Sequence, residues 1–445
     1  MTEVQASRTP FVQAVLDAEG AEASEGTGIV WLDTARRENL DAFLATGLPE
    51  GRSEAWKYTP LRALAQRAFA PADADAARAA NVDAAVFALP GVTGPRIVLV
   101  DGVFRADLSV LDTLPSGLRV EPLSVALTLA PEPLRFALAA RHRRDAADAF
   151  LHLNAALARD GVVVNVAEGC TIESPVHVVY VATQNDVAWH ARALVEVGQG
   201  GHLNVVEHHV AIGDANALGT VVSDFVLRDD AVLELVLIQD ASAAATLVRR
   251  SHARVGARAA ATVHAVELGG ALVRHELTAE LVGEGARFDS RGVFALKARQ
   301  HIDTQMDVRH QARDTTSDAL WRGVADGRSR GVFRGAIVVA EGADGSDAAL
   351  SNKNLLLSAQ AEIDTKPELE IYADEVKAAH GATIGQLDER SMFYLRSRGI
   401  PQVQARSLLT LAFCRAALGS LPNEALREHL GALLVAHLPT GPAEA

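Results

Sequence analysis

Between residues 160 and 390 the chain alternates apolar and polar side chains in short runs, and small-residue turns break those runs at a nearly constant interval. Gly161-Val162-Val163-Val164-Asn165-Val166, Val176-His177-Val178-Val179-Tyr180-Val181 and Ala336-Ile337-Val338-Val339-Ala340 read as strands, since side chains on a strand point to opposite faces in turn. The turns Gly198-Gln199-Gly200-Gly201, Arg228-Asp229-Asp230-Ala231, Gly256-Ala257-Arg258-Ala259 and Gly283-Glu284-Gly285-Ala286 end at 201, 231, 259 and 286, a repeat of 27 to 30 residues. A unit that short, built only of strands and tight turns, buries its apolar face by stacking on copies of itself. The pattern predicts a mainly β chain with a right-handed parallel β-helix core over 160–400 and two main strands per turn. A sandwich would require more Asn-Gly or Asp-Gly hairpin turns than the sequence contains. Asn352 and Asn354 read as a turn pair whose amides ladder along the stack.

Helical periodicity flanks this core. Residues 1–90 read as a helical region, in which Arg36 to Thr46 puts Leu40, Phe43 and Leu44 on one face and Gly47 just past the end as a C-cap. Residues 91–159 form a mixed transition into the core. In 401–445, after Pro401, the residues Leu408, Leu411, Ala412 and Phe413 and then Leu426, Leu430, Leu433, Leu434 and His437 recur at helical spacing, with Pro422 in the first turn of the second helix. Packing these helices against the end of the β-helix would keep its edge from recruiting other chains. The phrase Glu54-Ala55-Trp56-Lys57-Tyr58-Thr59 reads as an aromatic anchor of the helical part on the core.

With 445 residues, 49% hydrophobic and 22% charged, the chain has the composition of a globular protein larger than one compact core. No apolar run approaches the ~20 residues of a membrane span, so no membrane partner is expected. Met1-Thr2-Glu3-Val4-Gln5 shows no basic segment followed by an apolar one, and a cytoplasmic location is expected. A net charge of −14 disfavours nucleic acid, whose binding needs clustered cations. Cys170 and Cys414 form neither a disulfide framework nor a CxxC spacing, and Cys414 falls on the helical period as a small buried hydrophobe. Lys353, Lys366 and Lys377 stand close together, a grouping that suits a site needing compact ammonium charge or arises by chance.

Catalytic and metal motifs are sparse. There is no phosphate-binding loop and no H-E-x-x-H, since His275-Glu276 lacks a second histidine. Gly327-Arg328-Ser329-Arg330-Gly331 matches the nucleophile elbow, but a strand pattern follows it where the elbow needs a helix. His202, Asn204 and His208 share one strand face with His209 opposite, an arrangement more typical of surface histidines than of ligands. Asp303, Asp307 and Asp314 form the tight acidic series that a β-helical carbohydrate-active enzyme would need. A structural homodimer is a further reading.

Five phrases in one order carry more weight: Ser329-Arg330-Gly331-Val332-Phe333-Arg334-Gly335, Ser351-Asn352-Lys353-Asn354-Leu355-Leu356-Leu357-Ser358, Thr365-Lys366-Pro367-Glu368-Leu369-Glu370-Ile371-Tyr372-Ala373-Asp374, His380-Gly381-Ala382-Thr383-Ile384-Gly385 and Tyr394-Leu395-Arg396-Ser397-Arg398-Gly399-Ile400. Together with Pro49-Glu50-Gly51-Arg52-Ser53 before the Trp56 phrase, they resemble the SufB/SufD family, scaffold proteins of SUF iron–sulfur cluster assembly. The resemblance implies a non-enzymatic scaffold that pairs with a SufB-like subunit through the end of the β-helix, or as a homodimer when alone. It also implies that the terminal helices dock a SufC-like ABC ATPase. His380 aligns with the family histidine that faces the partner and would ligate a transient iron–sulfur cluster at the SufB interface; by itself, one imidazole is not a metal site. The family phrase commonly carries a cysteine where this chain has Ala378, and loss of that thiolate favours a SufD-like over a SufB-like member.

Overall fold

The computed structural model describes residues 9–22, 26–51, 53–140 and 148–438. Met1 to Gln5 and Arg52 lie outside them. Along the chain run β1 (Ala70–Pro71), β2 (Arg96–Val100), β3 (Val103–Phe104), β4 (Leu118–Pro122), β5 (Asp160–Val166), β6 (Val176–Ala182), β7 (Val187–Val197), β8 (His202–Ala211), β9 (Leu218–Leu227), β10 (Val232–Asp240), β11 (Thr246–Val255), β12 (Ala260–Glu267), β13 (Leu272–Leu281), β14 (Arg287–Leu296), β15 (His301–His310), β16 (Thr316–Ala325), β17 (Arg330–Val339), β18 (Asp347–Leu356), β19 (Glu362–Ile371) and β20 (Lys377–Gly385). Helices α1 (Pro10–Glu22), α2 (Val30–Thr46), α3 (Arg62–Ala65), α4 (Ala74–Ala79), α5 (Leu123–Leu129) and α6 (Ala149–Leu157) precede or interrupt the first strands, and α7 (Glu389–Ser397), α8 (Gln402–Leu418) and α9 (Glu424–His437) follow the last.

From β5 onward, odd-numbered strands stack in one sheet and even-numbered strands in the other, every pair parallel. The core is a parallel β-solenoid of about eight turns with two strands per turn. Thr246 pairs with Leu272 and Arg330 with Glu362, so one turn takes between 26 and 32 residues, close to the repeat read from the sequence. The repeat has a backbone cause. Gly200, Asp230, Arg258, Gly285, Asp314 and Gly345 all take positive φ at successive turns, and each amide bonds a carbonyl of the turn above, as from Asp230 to Ala257 and from Arg258 to Glu284. A left-handed residue at each of these turns closes its corner.

Inward-facing side chains fill the lumen. Phe288, Phe294, Trp321 and Phe333 are wholly buried there, and Gly292 pairs in register with Trp321 to make room for the indole. Two outer faces are also covered. α1, α2, α6 and the Trp56 segment lie over the odd-numbered sheet through Phe11, Phe43, Leu153, Leu218 and Val248. α8 and α9 lie along the even-numbered sheet, whose outward Val206, Val236, Ile238, Val266, Val293 and Val324 they bury.

Several expectations change here. The C-terminal helices cover a lateral face instead of the end of the stack, because the aliphatic stripe lies on that face. Helical structure resumes at Glu389, before residue 401, where the Asp388 carboxylate caps the amides of Arg390 and Ser391. The phrase around Tyr394 is therefore helical. The first solenoid strand is β2, inside the segment read as transition, since it pairs in parallel with β6. Asn352 and Asn354 sit within β18 and point into the lumen instead of forming a turn. α8 buries Ala405, Cys414, Ala417 and Leu418, whereas Leu408 is exposed. Pro422 stands just outside α9, whose N-cap is Asn423. α2 ends as expected, with Gly47 at φ 66°.

Candidate functional site

The end of the solenoid is unusual because, among the described residues, no strand stacks on it. β19 and β20 each pair on one side only, with β17 and β18. On β20 the Lys377 amide bonds Ser346 O and Thr383 O accepts from Asn354 Nδ2, so odd-numbered residues turn their polar backbone toward β18. The N–H groups of Ala378, His380, Ala382 and Ile384 therefore face outward, free for a further strand. At the two ends of β19 the Glu362 amide donates to Ser329 O just before β17 and the Tyr372 amide to Val339 O, which places Pro367 at an outward position, where the absence of an N–H costs nothing. Ile371, Tyr372 and Ile384 are exposed at this end.

His380 lies mid-strand on β20, not in a loop, and stacks in register on Leu350. Leu350 faces the lumen, so His380 and Ala378 occupy the inward column at the open mouth and share a face. His380 is exposed because no turn covers it. Among the described residues no group of three or more His, Cys, Asp or Glu could hold a metal ion.

The other sequence candidates are dispersed. His208 stacks on His177 on the outer face of the even-numbered sheet, 5.7 Å between ring centroids, while His209 points inward against Tyr180. His202 is exposed at the start of β8. Lys366 is held by Glu54 and Glu368 on β19's sheet, whereas Lys353 and Lys377 belong to the other sheet, so the lysines make no single site. Ser329 is buried in the turn before β17, its hydroxyl donating to Asp326 O at 2.8 Å. Cys414 is buried in α8, and burial pushes its thiol up to about 12. Asp303 is buried under the Trp56 segment, Asp307 pairs with Arg309 on the same face, and Asp314 closes a turn at φ 55°. These three carboxylates do not converge on a groove.

Two polar clusters had no sequence signal beyond their residue types, because their partners are distant in the chain. Under the helical part, Arg274 bonds Asp303 at 2.5 Å, Glu276 at 2.7 Å and Ala55 O at 2.9 Å, and its guanidinium lies 3.9 Å from the Trp56 ring centre. Thr59 adds a hydrogen bond to Asp303. This fixes the Trp56 phrase to β13 and β15 as the anchor expected of it. In the lumen, Glu207 accepts from Ser223 at 3.0 Å and lies 2.8 Å from His209 and 3.1 Å from Arg249. Glu267 bonds His275 and Thr304 one to two turns further on. Burial opposes the charge on Glu207, but Arg249 and His209 outweigh it and hold the carboxyl at about 2. Burial and the same guanidinium hold His209 at about 4, so it is neutral at pH 7.

A family model described as "SUF system FeS cluster assembly, SufBD core domain" matches residues 180–413, and "SufBD protein N-terminal region" matches 20–178. The chain is similar to the iron-sulfur cluster assembly protein SufD of Escherichia coli (strain K12), 30% identical over 409 residues that cover 91% of this chain and 93% of that one. It is similar to an iron-sulfur cluster assembly SufBD family protein of Synechocystis, 29% identical over 418 residues and 91% of each chain. The SufD protein of Bacillus subtilis (strain 168) is 26% identical over 280 residues, 62% of this chain and 64% of that one. No helix among the described residues is long and apolar enough to cross a membrane.

Proposed function

Since the chain belongs to the SufBD family of SUF-system iron–sulfur cluster assembly proteins, we propose that it is a SufD-like scaffold subunit that docks a SufB-like subunit edge-on through β20 and carries a SufC-like ATPase on its C-terminal helices. The observation that carries this reading is the bare last turn of a solenoid whose lateral faces are both covered. A partner of the same architecture can extend the sheets there by main-chain bonds, with Ile371, Tyr372 and Ile384 supplying apolar contact. Phe393, Tyr394 and Leu408 are exposed on α7 and α8 and suit a second partner. The iron–sulfur cluster is cargo of this assembly. His380 offers it one imidazole at the junction, and without a cysteine at Ala378 the thiolates come from the partner. The location that fits these roles is the cytoplasm, and the chain itself turns over no substrate.

Coexpression with SufB-like and SufC-like subunits tests the reading. Ala382→Pro removes one outward N–H while leaving every bond to β18, so the variant should fold but lose the SufB-like partner and keep the ATPase. Recovery of the full complex with Ala382→Pro would refute edge pairing. His380→Ala should assemble normally and hold less iron and acid-labile sulfide after reconstitution, and Ala378→Cys in that background should restore part of it.

A further inference from the structure

The first turn of the solenoid is incompletely stacked. β1 covers β7 only at Val187 and Ala188, and β5 begins opposite Ala191, so among the described residues no strand lies beside Trp189 and His190 on that side. A cavity of about 440 Å³ occupies the gap, roofed by α1 and α6. Phe11, Val15, Phe69, Leu153 and Leu218 give it an apolar wall. The size and lining are those of small-molecule sites.

His190 is the polar residue in this lining that calls for a ligand. It is nine-tenths buried, and its Nδ1 lies 2.7 Å from Thr220 Oγ1. Asn154 Nδ2 already donates to that oxygen at 2.9 Å, and among the described residues Thr220 Oγ1 has no other hydrogen-bond acceptor. The Thr220 hydroxyl proton therefore goes to Nδ1. Burial holds His190 neutral, at about 3, which leaves its one ring proton on Nε2. Among the described residues that donor has no hydrogen-bond partner, and with His190 lining the cavity it is open to whatever the cavity holds. Asp160 lines the same cavity and burial raises its carboxyl, so a second buried negative charge is disfavoured there. Of the two cations in the lining, Arg78 on the rim is already paired with Asp75 at 2.8 Å, and Arg159 is likewise engaged by the chain.

We propose that this cavity binds a small uncharged molecule with an aromatic or alicyclic body and one carbonyl oxygen, which accepts the proton of His190 Nε2. The cavity lies in the first turn, away from β19 and β20, and the proposal stands independently of partner docking.

Two probes of equal shape test it on the unmodified protein: 2-acetylnaphthalene, which carries the carbonyl, and 2-ethylnaphthalene, which does not. Equilibrium dialysis should show both bound, the ketone about tenfold more tightly, since only it accepts the His190 Nε2 proton. His190→Leu should abolish that preference. Ala14→Phe, a substitution that projects from α1 into the cavity, should weaken both probes at least tenfold with the far-ultraviolet circular dichroism unchanged. Equal affinity of the two probes for the unmodified protein, or no binding of either up to their solubility, would overturn the proposal whatever the variants do.

Discussion

Ala298 carries a conformation that its side chain opposes. It is exposed in the turn before β15 with φ 54°, and the next turn stacked on it uses Gly327 at φ 66° for the same corner. A Cβ in the left-handed region costs about 1 kcal/mol, and at Ala298 the side chain is exposed. Ala298→Gly should therefore raise the free energy of unfolding by about 1 kcal/mol, read as a higher urea midpoint at constant slope; an unchanged or lower midpoint would show that the turn imposes no strain. Gly292 is the opposite case. A Cβ there would lie 2.4 Å from the Trp321 ring, whose Nε1 is also fixed by Ser290 Oγ at 3.0 Å. Gly292→Ala should destabilise the fold by about 1–3 kcal/mol through overpacking. A loss below about 0.5 kcal/mol would mean that the indole moves at little cost.

At the scale of elements, Arg274 ties the segment around Trp56 to the solenoid. Its partners Asp303, Glu276, Trp56 and Ala55 come from three separate segments. Removing one member of a buried ion pair strands the other, at about 3–5 kcal/mol. Arg274→Ala should accordingly loosen the segment around Trp56 before the solenoid unfolds. Limited proteolysis should cut near residue 52 in the variant at concentrations that spare the native chain, and Arg274→Ala combined with Asp303→Ala should recover part of the loss. Cleavage at equal rates in variant and native chain would remove Arg274 from this role. The Trp56 anchor was legible because its residue types announce burial; its partners were not, because Arg274 and Asp303 are ordinary charges until the stack brings β13 and β15 together. The same limit applies to Glu207, Arg249, Glu267 and His275, whose alternation identifies strands but not which face looks inward. Period and turn spacing gave the solenoid because both are local. The path of α8 was misread at Leu408, since a helix with apolar residues on several sides does not reveal which one meets the valine stripe.

The whole molecule is a long stack with many histidines sealed inside it or beneath its covering helices, and this sets its response to acid. Burial lowers His177 and His190 to about 3 and His209 to about 4, with Arg96 adding to the effect at His177 and Arg249 at His209. In the unfolded chain each titrates near 6.5. Their folded values are depressed, so between those values and 6.5 the unfolded chain binds protons that the folded chain refuses. Stability is then complete above pH 6.5 and falls as pH decreases toward 4. Between pH 6.5 and 5 the loss is on the order of 2 kcal/mol for each residue at most. Glu207, at about 2 when folded, adds a further loss as pH falls from the ordinary glutamate value of 4.5 toward 2. The net charge of −14 acts in the other direction, since acid relieves mutual repulsion, but that repulsion is spread over an exposed and screened surface and the histidines are not. The buried residues should prevail. Urea midpoints should be nearly constant from pH 8 to 7 and clearly lower at pH 5, and His209→Gln should flatten part of that slope because Gln does not titrate. A midpoint at pH 5 equal to that at pH 7.5 would mean that the histidines become protonated without unfolding, so that water reaches the lumen and the space beneath the helices.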